Sequence, residues 1–346
     1  MSFYTADHIQ RLTSRAQLLC SLRQFFHQQG FLEIEVPHIV VSPGLEVHLQ
    51  AFQVHADCLD TQPLRRYLHT SPEYALKRLL ASGMDKIYAV SSCYRDEPPS
   101  RTHSPEFTML EWYMKNHTLE DLMQQCEDLI RHVASCHLGT HHPLALHRTL
   151  DQIPSKSITI DLHKPFERLS VHQAFLHYAQ IDLLECPDLT SFMKKSEHLT
   201  INHREGIQDW DTLYFQIFMD YIEPHLGQQR PTFLYGFPAS QSALARLDPK
   251  DPRWALRFEL FAAGLELANA FDELSDPQEQ EKRFIQDQQD RKRMNKVVYP
   301  LDQHLLADLS EMGQCVGIAL GLDRLFMLLF GADHIDQVRV QAWQDL

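Results

Sequence analysis

The chain has 346 residues, with 32 basic and 46 acidic side chains and a net charge of −14, a balance that excludes a broad phosphate-binding surface but not a local basic pocket. Its 44 % apolar content excludes disorder as the main state, and at about 150 residues per domain it holds two domains or one large one. The longest apolar run, Leu325–Phe330, falls far short of the roughly 20 residues a membrane helix needs.

Met1–Asp7 carries no basic or apolar targeting pattern. The seven cysteines, none in a CxxC pair, read as reduced thiols of a cytoplasmic protein. Leu12, Ala16, Leu19, Leu22 and Phe26 predict one apolar face of a helix that Gly30 stops. Leu32, Ile34 and Val36 alternate with Glu33 and Glu35 as in a strand that Pro37 ends. Ser71-Pro72 opens a helix over Tyr74–Leu80, with Ser71 as its cap. Ile87–Arg95 and Glu106–Met114 read as an antiparallel pair joined by the loop Asp96–Pro105.

Thr118–His225 reads as a mainly helical insertion with an irregular middle, Gly139–Lys164. Thr232–Phe237 is a strand, and Phe258–Ala262 with Leu265–Leu274 forms a hairpin around Ala263-Gly264. Pro277–Lys296 is a charged helix solvated on most faces, Cys315–Leu320 a strand and Asp323–Phe330 a helix. The expectation is α+β, with an antiparallel sheet flanked by helices in a single catalytic domain.

The pleat decides which side chains can cooperate. Phe107, Met109, Glu111 and Tyr113 share one face; Asn269, Phe271 and Glu273 share another. If the faces meet, Glu111 and Glu273 line an aromatic-walled pocket suited to an amine, because buried carboxylates need a cation. Solvated strand carboxylates are the alternative. Arg95 at a strand end suits a phosphate or a salt bridge to Glu97. Arg324, in the first turn of a helix after Gly321, sits where the helix dipole disfavours a cation, which suggests a ligand; a plain tight turn is the alternative. Glu259 and Glu266 flank the hairpin turn and could reach Mg²⁺, although Glu266 joins the face of Glu273 only if the strand bulges near Leu267–Ala268. His132, Cys136, His137, His141, His142 and His147 fit no closed zinc site, so a polar surface is expected.

Three segments together resemble the class II aminoacyl-tRNA synthetase core. The first helix, strand and Pro37 resemble motif 1, Arg95–Glu97 with Pro105–Tyr113 motif 2, and Gly317–Arg324 motif 3. Ser71-Pro-Glu73-Tyr-Ala-Leu-Lys77-Arg-Leu79 and Glu266–Glu273 resemble the amino-acid pocket of the lysine branch. Ser71, Ala319, the run Phe237-Pro-Ala-Ser240-Gln and the early start of the motif 1 helix, with no anticodon-binding domain before it, are similar to the short paralogue family of elongation factor P–(R)-β-lysine ligases.

The resemblance implies an ATP site of Arg95, Asp96, Glu97, His103, Ser104, Phe107, Glu266, Leu267, Gly321 and Arg324, with Arg95 and Arg324 catalytic. It implies a substrate site of Ser71, Pro72, Glu73, Glu111, Tyr113, Asn269, Phe271, Glu273 and Ala319, and Mg²⁺ on Glu259 and Glu266. The implied activity is adenylation of (R)-β-lysine, or lysine, by a homodimer, with transfer to a lysine of elongation factor P and with neither tRNA nor membrane as partner. A truncated tRNA-charging enzyme and an inactive regulatory paralogue are the alternatives. Ser104 stands where this family carries Asn, and Ala270 where it carries Gly.

Overall fold

Thr5 opens the first helix, α1 (Ala6–Gln28), by accepting the amide of His8 on its hydroxyl. The structure is a computed structural model and describes residues 5–55, 65–138, 145–149, 157–202 and 204–345. The buried residues of α1 are Leu18, Leu22, Phe25 and Phe26, so the apolar face is rotated from the expected one and Ala16 is exposed. The aromatic contacts explain the rotation. Phe26 stacks on Tyr88 at 4.5 Å and meets Trp112 edge-on at 5.4 Å, and burying such a ring contributes about 1.5–3 kcal/mol.

The strand expected over Leu32–Val36 is shorter, because only β1 (Leu32–Glu33) pairs, in parallel, with β5 (Lys86–Tyr94). Between them, β2 (Ile39–Val40), β3 (Gln53–Val54) and β4 (Arg66–Leu68) form a small sheet in the order β2–β4–β3. The helix α2 (Glu73–Ala81) follows with Pro72, not the expected Ser71, at its N-cap, and the Ser71 hydroxyl just before it accepts the amide of Glu73. β5 runs antiparallel to β6 (Glu106–Lys115), with Cys93 opposite Phe107 and Ala89 opposite Glu111. Arg95 donates its amide to Pro105 at 2.8 Å and so closes the connecting loop. α3 (Leu119–Leu138) comes next; its Gln125 accepts the indole N–H of Trp112 at 2.7 Å.

The chain forms two compact units, Met1–His141 with Ala270–Leu346, and His142–Asn269. The second begins with a hairpin, β7 (Ala145–Thr149) and β8 (Ser157–Asp161), inside the stretch expected to be irregular. β9 (Glu167–Ser170), α4 (Val171–Ala174), α5 (Leu189–Lys195) and α6 (Trp210–Ile217) follow. Then come β10 (Thr232–Pro238), parallel to β9, β11 (Trp254–Ala262) and β12 (Leu265–Asp272), which runs across the boundary of the unit. The strand order is β12–β11–β10–β9. Phe175, Phe192, Tyr214, Ile217 and Phe261 centre the core of this unit. The β11–β12 turn has φ of 49° at Ala263 and 71° at Gly264, the left-handed pair a two-residue hairpin needs.

In the first unit the chain ends with α7 (Pro277–Arg293), α8 (Gln303–Met312), β13 (Cys315–Gly321) and α9 (Leu322–Phe330). α7 is less solvated than its charge suggests, because Arg291 is fully buried, stands over Tyr299 at 4.2 Å and donates to the carbonyls of Glu46, Leu49 and Val297. β13 pairs antiparallel with β6, placing Ala319 opposite Glu111 and Gly317 opposite Tyr113. The fold is α+β, and β5, β6 and β13 form its antiparallel centre.

Among the described residues no helix is long and apolar enough to cross a membrane, and Cys20, Cys93, Cys126, Cys136, Cys186 and Cys315 are unbridged. His132 packs on Phe25 and His137 on Phe330. His141, His142 and the side chain of His147 lie outside the described residues, among which no three potential metal ligands gather.

Candidate active site

Glu111 and Glu273 are both buried, each 1 % exposed, so neither is a solvated strand carboxylate. Glu111 points off the middle of β6, and its two oxygens accept the hydroxyls of Ser71 at 2.5 Å and Tyr113 at 3.2 Å. Glu273 follows β12 and is set in place by its amide, which donates to Cys315 O at 2.9 Å. A Cβ on Gly317 would collide with both the Tyr113 ring and the Glu273 carboxylate, so only glycine lets the two meet over β13. Burial pushes the Glu111 carboxyl well above the usual carboxylate range, Glu73 and Glu273 add to the rise, and the two hydroxyls oppose it. Burial also raises the Glu273 carboxyl, with Lys77 opposing. Burial and the Glu111 charge hold the Tyr113 phenol protonated, as its donor role requires.

Lys77 lies in the segment likened to the amino-acid pocket, but sequence reasoning gave it no role. It is 2 % exposed, and its ammonium lies 2.5 Å from Glu73 Oε1 and 2.6 Å from Glu273 Oε2. Burial alone would lower its proton affinity, but Glu273 and Glu73 more than reverse that and keep it charged. Its signal in the sequence is the Glu73-x-x-x-Lys77 spacing, one helical turn, which reads equally well as a surface pair.

The nucleotide candidates lie on the neighbouring loop and helix start. The Arg95 guanidinium stands 5.0 Å over the Phe107 ring, and its Nε is buried without a hydrogen-bond partner. Arg324, in the first turn of α9, donates to His103 Nε2 at 2.6 Å and to Thr102 O at 3.3 Å. Burial and the charges of Arg324 and Arg95 hold the His103 imidazole down at about 4, so it is a neutral acceptor. Ser104 is buried and its hydroxyl unpartnered, Asp96 is exposed, and Glu97 donates its amide to Arg95 O at 2.8 Å.

Asp323, also missed, is 2 % exposed, accepts Arg15 at 2.5 Å and accepts the amide of Thr108 at 2.8 Å. Arg15 reaches on to the Thr108 hydroxyl at 2.9 Å. Ala319 and Gly321 alternate as half-buried positions on β13, and Pro72 is buried beside Ser71.

In the second unit, Arg257 gathers the predicted residues. It pairs with Glu259, donates to Asn269 Oδ1 at 3.1 Å and to Gln241 O at 2.7 Å, and lies 4.4 Å over Phe237. Burial lifts the Glu259 carboxyl, Arg257 opposes, and Glu266 adds to the rise. Along β12 the burial alternation slips once, with Leu267 and Ala268 both buried, so that Glu266, Asn269 and Phe271 are all half-buried.

Residues 1–342 match the model of the class II tRNA synthetases (D, K and N). The chain belongs to the class II tRNA synthetase family. Within it, the chain is 38 % identical over 340 residues to the elongation factor P–(R)-β-lysine ligase of Edwardsiella ictaluri, covering 97 % of this chain and 96 % of that one. It is 37 % identical over 333 residues to the proteins of the same name from Salmonella typhi and Salmonella arizonae, covering 95 % of this chain and 94 % of each.

The raised carboxyls give this class II pocket a pH signature. Its empty form favours a protonated Glu111, whereas an ammonium nearby favours the ionised form. Amine binding is therefore expected to release protons and to tighten as pH rises from about 6 to about 8. Calorimetry in buffers of different ionisation enthalpy checks this, and proton uptake would contradict it. With folded-state values above the unfolded ones, these groups also make the ligand-free protein lose stability as pH rises past the ordinary carboxylate range.

Proposed function

We propose that this chain activates (R)-β-lysine with ATP as the aminoacyl-adenylate and transfers the β-lysyl group to a lysine ε-amine of elongation factor P. One observation supports the reading above the others: three carboxylates, Glu73, Glu111 and Glu273, share a buried pocket with one ammonium, Lys77. With all three ionised, two negative charges are left over. A buried charge persists only when paired, and a lysine-type substrate brings two ammonium groups and a carboxylate free to react. The names of the relatives specify the β-isomer and the protein acceptor.

In the activation step a carboxylate oxygen attacks the α-phosphorus and pyrophosphate leaves. Arg95 would hold the α-phosphate through its unpartnered Nε, Phe107 would stack on the purine, and Arg324 would meet the γ-phosphate. No nucleophile of the protein is needed. In the second unit, Glu259 and Glu266 would hold Mg²⁺, since their charges interact and paired carboxylates suit that ion, which when bound supplies positive charge. The arrangement leaves Glu259 one oxygen beyond the one Arg257 holds.

The same proposal includes a homodimer. Ile9 on α1 and Leu32, Ile39 and Val41 after it are exposed apolar residues in the motif 1 region, surface that a second copy would cover. The unbridged thiols accord with a reducing cytoplasm.

Incubation with ATP, (R)-β-lysine and elongation factor P should raise the mass of the factor by one lysyl residue, with AMP as the coproduct. Aminoacylated tRNA in place of modified protein would change the acceptor and leave the activation step standing. No substrate-dependent ATP–pyrophosphate exchange would defeat the proposal.

A further inference from the structure

We infer that Lys77 is a positioning residue that sets how many ammonium groups the pocket accepts. The inference deepens the proposed function and rests on the reading of the pocket as a diammonium site. An exposed Glu–Lys pair one helical turn apart contributes little to stability and serves no second partner. Lys77 differs on both counts. It is 2 % exposed, and its ammonium bridges Glu73 on its own helix to Glu273 at the end of β12.

The bridge has two effects. It cancels one carboxylate of three, so the pocket is short of two positive charges rather than three. It also engages Glu273 through Oε2, while Oε1 stays buried without a hydrogen-bond partner where Gly317 gives it room. Oε1 is then the oxygen presented to a ligand. A ligand with one ammonium leaves a buried charge uncompensated, and one with three overfills the pocket; both mismatches are costly in a dry site. Ser71 and Tyr113 do the corresponding work at Glu111, as neutral donors that orient without cancelling charge.

The experiment is ATP–pyrophosphate exchange with Lys77→Met, Glu73→Gln and the double variant, in the full-length protein. Lys77→Met leaves three carboxylates and no cation. It should raise KM for (R)-β-lysine by about thirtyfold or more while KM for ATP moves less than about threefold. Adding Glu73→Gln restores the surplus to two charges, so the double variant should recover about tenfold or more in KM over Lys77→Met. A packing role predicts no such rescue. Additive losses, or equal changes in both KM values, would overturn the inference. If Lys77→Met does not fold, the double variant is compared with Glu73→Gln alone: a KM within about tenfold supports the inference and a larger gap overturns it. Failure of the wild type to exchange with (R)-β-lysine would instead defeat the function on which it rests.

Discussion

Replacing Arg324 by alanine is expected to lower ATP–pyrophosphate exchange by about a thousandfold or more while the protein stays folded. The size follows from the role, since a cation aimed at phosphate charge that develops in the transition state is among the largest single contributions a side chain makes. The fold should survive because Arg324 is only half-buried and sits in the first turn of α9, where a positive charge opposes the helix dipole. Its hydrogen bonds to His103 Nε2 and Thr102 O hold the loop between β5 and β6, so some local loosening accompanies the loss. Exchange kinetics with a melting curve decide it: activity within about tenfold of wild type at an unchanged Tm would remove Arg324 from the chemistry.

The second large effect is expected at Glu111. Glu111→Gln keeps the size of the side chain and can still accept the Ser71 hydroxyl, but it removes one of the carboxylates that call for a cation. Losing one partner of a desolvated ion pair costs about 2–5 kcal/mol, or roughly thirty- to several thousand-fold in KM for a lysine-type substrate, with KM for ATP nearly unchanged. Because the carboxyl is held away from its ionised form by burial, the ligand-free variant should be as stable as the wild type or more so above neutral pH. Equal losses for amino acid and ATP would indicate a structural role.

Local grammar made much of the fold legible. The β5–β6 pair, its ten-residue loop, the helix start after Ser71-Pro72 and the Ala263-Gly264 turn follow from alternation, proline content and side-chain hydrogen bonding, which act over a few residues. What local grammar could not supply was the direction from which a neighbour arrives. The apolar face of α1 is rotated because Tyr88 and Trp112 receive Phe26, and both are far away in sequence. The hairpin of β7 and β8 lay in a stretch whose composition reads as loop. In the site, strand pattern placed Glu111 and its neighbours on one face correctly, yet left their burial undecided. Their meeting with Glu273 depends on Gly317, whose lack of a side chain matters only once β13 lies beside β6. Lys77, Asp323 and Arg257 were illegible for one shared reason: each acts by bridging two partners, and a bridge is a tertiary fact.

Asp323 holds the amide of Thr108 with one oxygen and Arg15 with the other. Thr108 follows Phe107 directly, and Asp323 directly precedes Arg324. Under the proposed roles, the plate for the purine and the cation for the last phosphate are therefore both anchored through one buried residue, the first by the amide beside it and the second by the chain itself. A shift of either one is therefore passed to the other through a single side chain. Arg15, held by the other oxygen of the same carboxylate, comes from α1, so the coupling extends to the first helix of the chain.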